Sequence, residues 1–167
     1  MRPANRTRGV LAATVIVTSG LAGCSQGDQA ASDERQAEVA ERGAEVMGFD
    51  LEATAHRFEP TDGGGVQEVV ARDPNDADEV AAVRKHLSAE AQRFAEGDFS
   101  DPAAIHGEEM PGLAELEASG GVVGVAYEEI DSGARVTYTA DDPDLVTALH
   151  EWFDAQLFDH GTHAEPG

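Results

Sequence analysis

The chain has 167 residues, with 11 basic residues against 33 acidic ones, a formal net charge of −22 and a single cysteine. That charge argues against a nucleic-acid binder and against electrostatic adhesion to anionic headgroups, because both need clustered Lys and Arg; it suits a soluble monomeric domain. One cysteine allows no internal disulfide, so a packed core of single-domain size has to supply the stability.

At the start of the chain, Arg2, Arg6 and Arg8 precede the apolar run Val10 to Val17. This is a basic n-region followed by an h-region too short to remain as a membrane span. Leu21-Ala22-Gly23-Cys24 then places small residues directly before the sole cysteine. The arrangement resembles the lipobox of bacterial lipoproteins, in which that cysteine is lipidated and becomes the first residue of the mature protein. The resemblance implies a signal peptide over 1–23, lipidation of Cys24 and an anchor on the exported face of a cell membrane. Two acyl chains hold stably, each buried methylene contributing about 0.8 kcal/mol. The mature chain would be still more acidic, since the signal carries three Arg and no Asp or Glu.

Residues 24–32 are small and polar and read as a tether; 33–47, rich in Glu, Ala and Arg, read as an N-terminal helix with a thin apolar face. An α+β domain is expected over 48–160, with 161–167 as a flexible tail. Thr54, His56 and Phe58 alternate toward Asp62-Gly63-Gly64-Gly65, a hairpin turn, and Val66 to Ala71 returns as a strand. Asp73-Pro74-Asn75-Asp76 supplies a stop and an N-cap, and Val80, Val83, Leu87 and Phe94 follow at helical spacing up to Gly97. The connection 97–120 is long and irregular, with a short helix possible over 111–118. Val122 to Ile130, Asp131-Ser132-Gly133, Arg135 to Ala140 and a helix after Asp142-Pro143 repeat the earlier order.

Matching Phe58 to Tyr127 matches Glu59 to Glu128, Asp62 to Asp131 and Asp73-Pro74 to Asp142-Pro143 without a gap. Within the helices, His86, Ala91-Gln92 and Phe94 match His150, Ala155-Gln156 and Phe158. We read a duplicated β-hairpin-plus-helix unit that forms a four-stranded antiparallel sheet with its helices on one face. Phe58, Val83, Leu87, Phe94, Tyr127, Leu149 and Phe153 are expected to share the core.

Six histidines are the main chemical lead. His86 and Glu90, and likewise His150 and Asp154, stand four apart on their helices, a spacing that lets two side chains reach one cation. The same spacing also fits a plain helical charge pair. His106 and Met110 offer imidazole and thioether, a donor set suited to copper. A bound copper or zinc ion is therefore one expectation. His56 reads as a half-buried strand residue, and His160 and His163 as part of the tail. No Gly-x-Ser-x-Gly elbow is present, and Asp62-Gly63-Gly64-Gly65 lacks the Lys of a phosphate loop.

Met47-Gly48-Phe49-Asp50, His56-Arg57-Phe58, Gly97-Asp98-Phe99-Ser100, Met110-Pro111-Gly112 and Asp159-His160 together resemble an uncharacterised bacterial family of exported domains, over about Met47 to His160. Some members of it are labelled aspartate carbamoyltransferase. The chain has neither the Ser-Thr-Arg-Thr phosphate loop nor the His-Pro-x-Gln motif of that enzyme, and the activity is not carried over. Three classes remain open: a non-catalytic lipid-anchored envelope module that binds a partner protein or envelope component, a copper or zinc binder, and, least supported, a small hydrolase.

Overall fold

The computed structural model describes residues 24–167, with side-chain burial from 27 onward. The expected signal peptide lies outside the described residues. The fold is α+β, with a five-stranded mixed sheet and five helices.

Helix α1 spans Cys24–Val46, so the stretch read as a tether is helical from Cys24. Its first half carries no apolar stripe, which is why its composition reads as a linker; among its residues from 27 onward, Val39 and Gly43 are the buried ones. Hairpin β1 (Thr54–Thr61) and β2 (Gly64–Ala71) leads into α2 (Ala77–Ala95), whose N-cap Asp76 accepts a hydrogen bond from the Glu79 amide. The long connection contains two short helices, α3 (Ser100–His106) and α4 (Leu113–Ala118); the sequence reading lacked α3. Hairpin β3 (Gly124–Ile130) and β4 (Gly133–Thr139) leads into α5 (Pro143–His160), capped by Asp142. A 3-10 turn over Gly161–His163 then delivers β5 (Ala164–Pro166).

The strand order is β3-β4-β2-β1-β5. The four strands of the two hairpins are antiparallel as expected, but β5 pairs parallel with β1, His56 opposite Ala164. The expected four-stranded sheet therefore gains an edge strand from residues read as a flexible tail. Three residues with a proline carry no strand signature of their own; pairing to a distant edge defines them.

One sheet face carries a charge ladder: Glu165, Arg57, Glu68, Arg135 and Glu128 alternate in sign across all strands. The opposite face holds Phe58, Val69, Val136 and Tyr138, all under 2 % exposed, and the helices cover it. Phe58, Val83, Leu87, Phe94, Leu149 and Phe153 share one core, with Tyr127 half-buried against it. Trp152 lies edge-on to Phe94, Phe99 and Tyr138 at 5.6–5.8 Å. Gly112, at φ +75°, lets α4 approach α5 where a Cβ would stand 2.0 Å from the Ala148 carbonyl oxygen.

The central register is symmetric. Gln67 pairs with Val136, its own match in the gapless alignment of the hairpins. The helices are exchanged: α2 packs chiefly on β3 and β4, α5 on β1 and β2.

Candidate functional site

Four histidines from four elements meet beneath α1. His56 points inward from β1, two residues before Phe58, and is 3 % exposed. His160, the last residue of α5, stacks on it with ring centroids 4.8 Å apart and planes 10° from parallel. His106, ending α3, meets His160 edge-on at 5.1 Å. His86 on α2 lies edge-on to Phe49 at 5.4 Å. With Glu90, Gln67 and Gln156 they line a small, partly open cavity of about 50 Å³. That is room for a few waters rather than an organic molecule.

Apolar side chains share this lining, and most of its titratable groups are uncharged at neutral pH. Burial holds the His56 imidazole down to about 3, with the neighbouring His86, His163 and His106 adding to the effect. Burial and the same cluster hold His160 well below the ordinary value, and burial lowers His86. Glu90 moves the other way: burial, then its hydrogen bond and proximity to Asp101, push it up to about 8. Nδ1 of His56 is buried with no hydrogen-bond partner among the described residues.

His106 also forms the wall between this cavity and an open groove of about 640 Å³ bounded by α1, the α3–α4 connection and α5. Its Nδ1 lies 2.8 Å from Asp159 Oδ2. Arg35 on α1 closes on the same carboxylate with Nε at 2.9 Å and a terminal nitrogen at 2.6 Å, and also donates to the His106 carbonyl oxygen. Burial opposes ionisation of Asp159, but these two partners outweigh it and keep the carboxyl below its usual range. Met110, Ala155 and Phe158 give the groove apolar lining, and Glu109, Glu151 and Asp154 line it as well.

The six residues expected to bind metal are dispersed. His86 and Glu90 line the inner cavity, Met110, Asp154 and His106 the outer groove, and His150 belongs to neither. The His150 Nε2 proton is shared between the carbonyls of Thr61 (3.0 Å) and Gly64 (2.9 Å) at the first hairpin turn. Arg84 serves the matching carbonyls of the second turn, Ile130 at 2.6 Å and Gly133 at 3.1 Å. The helical partner of His150 is thus Arg84, not His86, which corrects the expected equivalence of the two His/acid pairs. The N-caps agree: setting Asp76 against Asp142 sets Val83, Leu87, Glu90 and Phe94 against Leu149, Phe153, Gln156 and His160, all buried. Among the described residues, no three His, Cys, Asp or Glu side chains are placed to hold a metal ion. Asp159 already occupies His106 Nδ1.

Sequence reasoning missed Arg35, Gln67, Gln156, Asp159 and His160 as site residues. The sequence holds a signal for His160, since Leu149, Phe153, Gln156 and His160 recur at helical spacing. No family model, no curated protein and no solved structure matches the chain.

Proposed function

We propose that this protein is a lipid-anchored, exported cell-envelope module that binds a small ligand without chemically changing it, and that the groove between α1, the α3–α4 connection and α5 is its binding site. The observation that carries this reading is the join between anchor and groove. Cys24, the residue of the lipobox pattern, opens α1, and Arg35, about 16 Å further along that helix, ties it to Asp159 at the groove. The groove has the volume of an ordinary small-molecule site, whereas the histidine-lined cavity behind it is too small for an organic substrate. Among the described residues no helix is long and apolar enough to cross a membrane. The symmetric register supports reading the two hairpin–helix units as copies of one ancestral unit, with β5 added at one edge.

Two measurements test the proposal. Radioactive palmitate supplied to cells should label the wild type and leave Cys24→Ala unlabelled; labelling of the variant would remove the anchor. Native mass spectrometry of protein extracted from membranes should show a bound small molecule that is lost from Ala155→Trp, whose indole fills the groove. Identical spectra for the two would remove the site.

A further inference from the structure

We propose that the groove ligand is a small organic cation, an amine carried on an alkyl or aromatic body. This deepens the reading of the groove as a binding site and rests on it. The lining supplies apolar contact, with Phe158 58 % exposed beside Met110 and Ala155. Glu151 and Asp154, three apart on α5, and Glu109 from the α3–α4 connection line the same groove; all three are exposed. None of the three forms an ion pair among the described residues.

The cation bordering the groove, Arg35, is already committed. Both of its contacts to Asp159 are charge-assisted, so that pair adds no net charge. The groove therefore presents three uncompensated carboxylates alongside an apolar surface. An ammonium group would sit against the carboxylates while its body covers Phe158 and Met110. An anion would face repulsion, and a neutral body would gain only the apolar contact.

The test uses the full lipidated chain in neutral detergent and three probes of one shape: 4-phenylbutylamine, 4-phenylbutanol and 4-phenylbutyrate. Calorimetry and amide NMR should show the amine binding tighter than ~1 mM, with shifts at Met110, Asp154 and Phe158 and with weakening as salt is raised. The paired substitution Glu151→Gln with Asp154→Asn should weaken it about tenfold, while Glu117→Gln on α4, outside the groove, leaves it unchanged. Equal binding of alcohol, butyrate and amine in the groove would overturn the cation assignment and leave the groove as a site. Failure of all three to bind there at millimolar concentration would overturn both.

Discussion

The two hairpin–helix units share a frame and differ in what they put inside it. Each hairpin turn is clamped from the opposite helix through the same pair of carbonyls, by Arg84 on one side and His150 on the other. The central strands pair about Gln67 and Val136. On this common frame the first unit places His56 where the second has Val125, His86 where it has Trp152, and Glu90 where it has Gln156. The result is an aromatic interior around Trp152 and a polar one around the stacked imidazoles. Both turn clamps are backbone-directed, one made by Arg and the other by His, whereas the interiors behind them carry different side chains.

The largest expected effect comes from the aromatic side. Trp152→Ala removes a side chain 1 % exposed and should cost about 3–5 kcal/mol in denaturant unfolding, Leu149→Ala about 2–5 kcal/mol. A loss under ~1 kcal/mol for Trp152→Ala would mean that the interior around it is not packed as described.

The polar side should reveal itself in the pH dependence. His56, His160 and His86 have folded pKa values below the unfolded one, so their stabilising contribution is complete above ~6.5 and is lost as pH falls from there, for His56 down to about 3. Each such group costs up to ~1.4 kcal/mol per pH unit once only the unfolded chain is protonated. Glu90 acts in the opposite direction. Its folded value of about 8 lies above the unfolded one, so its contribution is complete below ~4.5 and is lost as pH rises toward 8. The histidines outnumber it below ~6.5 and it acts alone above, so unfolding free energy should peak near pH ~6.5. His56→Val, which installs the residue of the other unit, should flatten the acid limb; Glu90→Gln should flatten the alkaline one. An acid limb of unchanged slope in His56→Val would show that His56 is not held neutral.

Smaller effects are expected at the clamps. Arg84→Ala and His150→Ala each release two turn carbonyls to water and should cost about 0.5–1.5 kcal/mol. Similar losses at both would support the shared frame, whereas a loss at only one would separate the two turns.

The local frame was legible in the sequence because its signals are local. Asp62-Gly63 and Asp131-Ser132-Gly133 mark the hairpin turns, and Asp76 and Asp142 cap the helices. Helix-to-helix register was misread because alignment on His86 and His150 used residue identity, whereas cap position and burial phase set the true match. Helix α3 carried a start signal, Asp98 accepting from the Ser100 amide with Pro102 in the first turn, but it is too short for periodicity to show. The site itself was illegible for a different reason. The stack of His56 on His160 and the Arg35–Asp159–His106 network join residues far apart in the chain, brought together by packing of α5 on β1, pairing of β5 with β1 and docking of α1.

Histidine side-chain NMR over pH 7.5 to 4.5 tests the neutral imidazole cluster behind the groove most directly, provided the chain stays folded. The ring signals of His56 should hold their neutral positions throughout, and those of His160, buried against the same ring, should move only well below the ordinary histidine range. Midpoints near ~6.5 for both, with native amide dispersion intact, would contradict it.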